Sequence, residues 1–337
     1  MEPSKGAVAP EVQQVTPGVW IVPVLIPNNP LGYTLVYLIE SDAGPVLVDA
    51  GWNDDRSWNG LVDGVAATGH DITDVRGVLV THGHADHHGL SGRVREASGA
   101  WVAMHALDAA MVTEQRQRHG SWLSSVGAAF LAAGAAEHDF LDVPPPDTPS
   151  PVALPVLPDR LIGEDELVDV PGRRVRAVWT PGHTPGHMCF VLEDEQRLLT
   201  GDHLLPRISP HIGLWSPETP RDPLGEFLES LERVAALDID SALPAHIAPF
   251  EGLGERVAEL RRHHEERCAE IETLLADKPR TAWDIAAALT WKHGWESLPV
   301  LMRRVALAET LAHVRHLERR GRVRELDGPR PRGYALA

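Results

Sequence analysis

Between Thr81 and Gly89 the chain reads Thr-His-Gly-His-Ala-Asp-His-His-Gly. The run follows Arg76–Thr81, where Val78, Leu79 and Val80 make the short apolar stretch expected of a strand buried on both faces. It leads into Ala85–Ser98, which reads as helix. A tight strand-to-helix connection therefore carries four side chains, His82, His84, Asp86 and His87, that can converge on one point. Imidazole and carboxylate together suit zinc, iron or manganese, with the imidazole in its neutral form. Any fold that accepts this segment must end a buried strand at a cation site.

Three further pieces follow in order, each at the end of a predicted strand. Arg174–Thr180 leads into Thr180-Pro181-Gly182-His183-Thr184-Pro185-Gly186-His187, Arg197–Thr200 into Gly201-Asp202-His203, and Ser241–Pro244 into Ala245-His246. Glycine beside a ligand lets the backbone approach an ion closely. The ordered set, H-x-H-x-D-H and then a distal His, Asp and His, resembles the signature of the metallo-β-lactamase superfamily over about residues 15–250. That resemblance implies an α/β fold, the αββα metallo-β-lactamase sandwich. It also implies two divalent metal ions, zinc first, with iron or manganese also accepted. Carried over residue by residue, it implies His82, His84 and His183 at one metal, Asp86, His87 and His246 at the second, and Asp202 between them. The implied chemistry is hydrolysis by a metal-bridging hydroxide, with ions about 3.5–4 Å apart and no protein nucleophile. Asp86 is then expected to be both ligand and catalytic acceptor of the proton from the bridging water.

Neighbouring residues receive separate expectations. Asp49, in Val46-Leu47-Val48-Asp49-Ala50-Gly51, matches the superfamily's first motif and is expected to orient a ligand by hydrogen bonding. His88 and His187 are expected beside the ligands rather than among them. His203 and His211 flank the Asp202 loop and are candidates for facing substrate, whereas His263, His264, His313 and His316 fall on predicted helices and are expected to be solvated.

The rest of the chain fits an α/β layout. Gly18–Ile26, Tyr33–Ser41, Pro45–Asp49, Ala100–His105 and Met188–Glu193 read as further strands, and residues 106–140 and Pro223–Leu237 as helices. The proline-dense stretch Pro144–Pro158 can be neither helix nor central strand and is expected to be a surface connection. After Pro249 the character changes. A charged helix, Gly254–Leu275, precedes a short helix Ala282–His293 capped by Thr281, a helix Leu301–Arg320 stopped by Gly321, and the strands Val323–Leu326 and Gly333–Leu336. Helix, helix and hairpin outline a small winged-helix-like α+β domain. The expected domains are a catalytic domain at 1–250, a long connecting helix at 251–280 and the winged-helix-like domain at 281–337.

Charge narrows the partners. The chain carries 31 Lys+Arg and 48 Asp+Glu, a net −17. Residues 1–250 hold 15 basic and 34 acidic side chains, so the deficit lies around the metal motifs and opposes a long polyanion. The tail is near neutral, with Arg315, Arg319, Arg320, Arg322, Arg324, Arg330 and Arg332 clustered near its end. Two cysteines, Cys189 and Cys268, are too few for a disulfide framework, Met1–Val12 has no apolar core of a secretory leader, and no 18-residue apolar run is present. A cytoplasmic protein without a membrane span is expected.

Among subfamilies of the resemblance, β-lactamases usually lack the bridging aspartate present here as Asp202, and lactonases rely on a tyrosine near the metals. Here Tyr33, Tyr37 and Tyr334 all lie outside the stretch that carries the ligand motifs. Nucleases with an inserted domain need far more chain between Asp202 and His246. A glyoxalase-II-like hydrolase of a small ester or thioester is the leading expectation. The alternative is a β-lactamase-like endoribonuclease or phosphodiesterase whose winged-helix segment contacts RNA, and a homodimer through the tail is a further possible assembly.

Overall fold

A computed structural model describes residues 9–136, 155–215, 219–328 and 331–337, without the side chains of 118–126. The chain forms two compact units. The first is drawn from Met1–Gln117, Ser150–Pro210 and Arg233–Arg256, the second from Arg118–Pro149, His211–Glu232 and Val257–Ala337. The second unit thus takes in two segments from before residue 250 as well as the tail.

Two sheets build the first unit. Strands β1 (Gln13–Thr16), β2 (Val19–Leu25), β3 (Tyr33–Ile39), β4 (Val46–Val48), β5 (Gly77–Leu79), β6 (Trp101–His105) and β7 (Arg160–Ile162) lie side by side in chain order. Pairing is antiparallel from β1 to β4 and parallel from β4 to β7. The second sheet runs β12-β11-β10-β9-β8, from β8 (Leu167–Val168), β9 (Val175–Trp179), β10 (Met188–Leu192), β11 (Arg197–Gly201) and β12 (Ser241–Pro244). Only the β11–β12 pair in it is parallel.

Side-chain alternation along β3 and β10 explains how the sheets pack. Successive strand residues point to opposite faces. Leu35, Tyr37 and Ile39 join Met188, Phe190 and Leu192 in one buried cluster between the sheets. Val36 and Leu38 point the other way, into a second cluster with Leu61, Val65, Leu90 and Val94. Leu61 and Val65 lie on α1 (Asp55–Ala67), Val94 on α3 (Ser91–Ser98) and Leu90 at its N-cap; with a 3-10 turn Ile72–Asp74 and α2 (Ala85–His88) they make the helical layer on the first sheet. On β10 the odd residues Cys189 and Val191 are buried too, so neither face of that strand meets water. Burial of each large side chain contributes about 1.5–3 kcal/mol.

Several expectations need correction. The segment Ala85–Ser98 is two helices rather than one, because the Leu90 N–H donates to the Gly51 carbonyl (3.0 Å). Helix α1 was not anticipated. Asp54 caps it by accepting from Ser57 N (2.7 Å), and Gly64 leaves room for Val22, whose Cγ1 would lie 2.4 Å from an added Cβ. The remaining helices are α4 (Ala106–Ala132), α5 (Pro223–Ala235), α6 (Leu253–Asp277), α7 (Ala282–Ala288) and α8 (Val300–Arg319). Most of the predicted surface connection Pro144–Pro158 lies outside the described residues.

In the second unit, Thr281 caps α7 through a reciprocal pair with Asp284, as its sequence predicts. The helix stops at Ala288 instead of running to His293, where Trp291 Nε1 turns back to donate to the Ala286 carbonyl (2.7 Å). Strands β13 (Arg280–Thr281), β14 (Val323–Glu325) and β15 (Gly333–Leu336) form an antiparallel sheet ordered β13-β15-β14. Three of the four helical histidines are not solvated, and His263 is half-buried. His264 and His313 are buried, with His264 Nδ1 3.1 Å from His313 Nε2, and His316 Nδ1 donates to Asp222 Oδ2 (2.9 Å). The charged pattern of α6 and α8 concealed this, since His264, His313 and His316 pack inward. Among the described residues, no helix is long and apolar enough to cross a membrane.

Both cysteines are buried, and burial pushes the Cys189 thiol up to about 12 and that of Cys268 up to about 11. Thiolate is the reactive form, so neither thiol reacts with a disulfide reagent at pH 8 in the folded protein. Both are expected to react once the chain is denatured; rapid labelling of the native protein would contradict this packing.

Candidate metal centre

All seven predicted ligand positions come together at the ends of β5, β9, β11 and β12. His82, His84 and His183 form one group, Asp86, His87 and His246 another, and His82, His87 and Asp202 a third. In the first, His84 Nδ1 lies 2.9 Å from His82 Nε2 and 3.0 Å from His183 Nε2, and the two Nε2 atoms are 3.2 Å apart. Three nitrogens bound tetrahedrally to one zinc at about 2.0–2.1 Å would sit roughly 3.4 Å apart. The donor triangle is close to that size.

Ring orientation in the second group is fixed from behind. His87 Nδ1 donates to Asp49 Oδ2 (2.8 Å) and His246 Nδ1 to the Tyr33 carbonyl (3.0 Å). Each imidazole thereby directs its Nε2 into the site, the arrangement that metal-binding histidines adopt. His87 Nε2, His246 Nε2 and Asp202 Oδ1 are buried and make no hydrogen bond among the described residues. Leaving such groups unsatisfied is costly, and a cation between them removes the cost. The donor set and its orphaned atoms therefore fit divalent metal.

Asp202 faces both groups. Its Oδ1 lies 3.6 Å from His87 Nε2 and 3.3 Å from His246 Nε2, while its Oδ2 lies 3.6 Å from His183 Nε2. Burial alone would raise its carboxyl, but His246 and His87 outweigh that and hold it well below the usual carboxylate range. Burial opposes charge on His87 too, yet Asp202, Asp86 and Asp49 raise it well above an ordinary histidine. His82 is the opposite case, held well below its ordinary value by burial and by the neighbouring imidazoles of His87, His84 and His183.

The flanking residues sort as follows. Asp49 also accepts from Thr81 N (2.8 Å) and the Thr81 hydroxyl, so it holds the start of the histidine segment as well as His87. His187 is buried, and its Nε2 accepts the Asp202 N–H (3.1 Å) while Nδ1 meets the Thr180 hydroxyl (2.8 Å). His88 is buried between the Ser91 hydroxyl (2.8 Å) and the Val156 carbonyl (2.7 Å), and burial lowers it to about 4. His203 is fully buried beside His187, with ring centroids 6.0 Å apart. His211 belongs to the second unit, where its Nδ1 lies 3.9 Å from Glu309 Oε2.

Three contributors went unread in the sequence. Thr34 donates to the Asp86 carbonyl (2.9 Å), Tyr33 supplies the carbonyl that holds His246, and Asp108 accepts from Gly83, Thr184 and Gly186. The one available signal for Asp108 was an acidic residue in the first turn of a helix, which reads simply as a dipole partner.

An α/β sandwich that ends in two linked His/Asp groups is the scaffold of a divalent-metal protein. The metallo-beta-lactamase superfamily profile matches residues 29–246. A metallo-beta-lactamase family protein of Thermus thermophilus shares 33% identity and superposes with a TM-score of 0.75, covering 96% of this chain and 100% of that one. A beta-lactamase domain protein of Burkholderia ambifaria shares 26% identity with a TM-score of 0.81, covering 100% and 96%. Lactamase-like protein nscB of Aspergillus fumigatus is 39% identical over 122 residues, which span 36% of this chain and 34% of nscB. The chain belongs to the metallo-beta-lactamase superfamily, whose members are generally metal-dependent hydrolases.

Asp49→Asn keeps the shape but turns an amide toward groups that need an acceptor. Divalent-metal affinity is expected to fall about 10–100-fold, measured by chelator competition. Unchanged affinity would show that Asp49 does not hold His87.

Proposed function

We propose that the chain is a dinuclear-metal-dependent hydrolase acting on a small ester or thioester. The observation that carries this reading is the Asp202 carboxylate, which turns one oxygen toward His87 and His246 and the other toward His183. His82, His84 and His183 would hold one ion, Asp86, His87 and His246 the second, with Asp202 shared. Two bound divalent cations, zinc first among them, would polarise the scissile carbonyl, acidify a water and steady the leaving group.

The protein's own part is to hold and desolvate these donors. His82, His87 and His246 are fully buried, whereas Asp86 is half-buried with its Oδ2 3.6 Å from His246 Nε2. Asp86 is thus the carboxylate of its group that water can reach, which suits it to take up the proton released during hydrolysis. No serine or cysteine nucleophile is required, and the buried, protonated Cys189 is unsuited to that role.

The alternative reading, an endoribonuclease or phosphodiesterase whose winged-helix-like tail contacts RNA, is less well supported. Guanidinium groups that grip phosphate need to be free, and many in the tail are engaged. Arg322 pairs with Glu272, Arg332 with Glu325 (2.9 Å), and Arg319 donates to the Pro220 carbonyl (2.5 Å). The acidic surplus before residue 250 opposes a polyanion as well.

Metal analysis of the purified protein is expected to give about two divalent ions per chain, with loss on His183→Ala or Asp202→Ala. A panel of acyl thioesters, S-lactoylglutathione, simple esters and single-stranded RNA, with and without chelator, separates the readings. Thioester or ester turnover that is abolished by chelator and indifferent to salt supports the proposal. RNA cleavage that falls steeply with salt favours the alternative. Asp86→Asn is expected to lower kcat by about 10²–10⁴-fold; full turnover at full metal content would remove Asp86 from proton transfer.

A further inference from the structure

Asp108 belongs to neither ligand group, yet it touches both loops that carry the first one. It lies fully buried in the first turn of α4. Its Oδ2 accepts from Gly83 N (2.8 Å) and the Thr184 hydroxyl (2.8 Å), and its Oδ1 accepts from Gly186 N (2.6 Å). Gly83 separates His82 from His84, and Thr184 directly follows His183. One carboxylate thus spans the two loops whose imidazole nitrogens approach within 3.0–3.2 Å.

The packing leaves no slack. A Cβ on Gly186 would lie 2.6 Å from Asp108 N and 2.8 Å from its Oδ1, and one on Gly83 would lie 2.9 Å from Met111 Cε. Glycine at both positions lets the loops close onto the carboxylate. The second group is held by other residues, since Asp86 is tied to Thr34, His87 to Asp49 and His246 to Tyr33.

We propose that Asp108 is a positioning residue for the first metal alone: it sets the spacing between the His82-Gly83-His84 loop and the His183 loop by holding their backbones. This rests on the dinuclear reading above. Asn at this position keeps the shape but presents an NH2 where three donors need an acceptor, so at least one bond is replaced by a donor–donor contact. The loops then drift apart, while the groups held by Asp49, Tyr33 and Thr34 stay in place.

The test is a Co²⁺ titration of the 337-residue chain, stripped of metal by chelator, read by the visible absorption of the bound ion. His84→Ala and His246→Ala assign each binding step to its group, and circular dichroism checks the fold of every variant. Asp108→Asn is expected to weaken the His84 step by about 10–100-fold and to leave the His246 step within about threefold. Thr184→Val, which removes a single donor, should shift the same step in the same direction by less. Equal weakening of both steps, or of neither, overturns the proposal. Should Asp108→Asn not fold, Thr184→Val decides, and two unchanged steps there overturn it. A wild type without two binding steps overturns the dinuclear reading along with it.

Discussion

The structure depends on holding like groups together against their tendency to separate. Three imidazole nitrogens stand 2.9–3.2 Å from one another, and beside them a buried histidine is surrounded by three carboxylates. The two halves differ in character. His82 is kept neutral by burial and by its neighbours, so the first half attracts a cation through nitrogen lone pairs. Around His87, the carboxylates of Asp202, Asp86 and Asp49 create a negative potential that attracts any cation, a proton included. A divalent ion held by Asp86, His87 and His246 would have to compete with that proton, so binding there would be linked to pH.

Neither half could persist without the sheets. Strand β3 lies in the first sheet, yet its Leu35 N–H donates to the Ala245 carbonyl (2.7 Å) and its Tyr37 hydroxyl to that of Pro244 (2.8 Å). Tyr33 adds a bond from its hydroxyl to the Ile247 carbonyl (3.2 Å). The loop that carries His246 leaves the second sheet and is stitched to the first. Ile247 adopts a φ of 77°, a left-handed conformation that a β-branched residue enters at a cost of about 1–3 kcal/mol. Its immediate neighbour is His246, and the hydrogen bonds to β3 hold the turn in that conformation. Asp49 is similar, with a φ of 62° and its backbone N–H bonded to the Leu79 carbonyl (2.8 Å). Of the six described non-glycine residues with positive φ, these two touch or adjoin His87 and His246.

The parts legible in sequence were those written locally. Buried strands such as β5 and β10 announce themselves by continuous apolar runs, and the ligand motifs by the density of histidine beside glycine. Ser241–Pro244 is a strand over the residues expected of it. What escaped was either short or nonlocal. Strands β7 and β8 have three and two residues and carry exposed side chains, which leaves no pattern to read. Helix α1 contains Gly60 and Gly64, which lower its helical propensity, and only the packing of Gly64 on Val22 accounts for the second. His264 and His313 looked solvated because local charge gives no sign of a neighbour 49 residues away. Asp108 finds its partners 25, 76 and 78 residues distant, and no periodicity encodes such contacts.

The two supporting aspartates act on different links of the same chain of causes. Asp49 bonds the imidazole of His87 itself, so it sets the tautomer and basicity of a donor atom as well as its position. Asp108 accepts from the backbone N–H groups of Gly83 and Gly186 and from the Thr184 hydroxyl, so these bonds govern where the loops that carry the donors stand. Such a division suits a centre in which Asp202 turns one oxygen toward each group. A carboxylate shared between the two groups would transmit any displacement of one to the other unless each has anchors besides it. With Asp108 holding the two loops of the first group, Tyr33 and Thr34 holding His246 and Asp86, and Asp49 holding both His87 and Thr81, Asp202 would link the halves without having to align them.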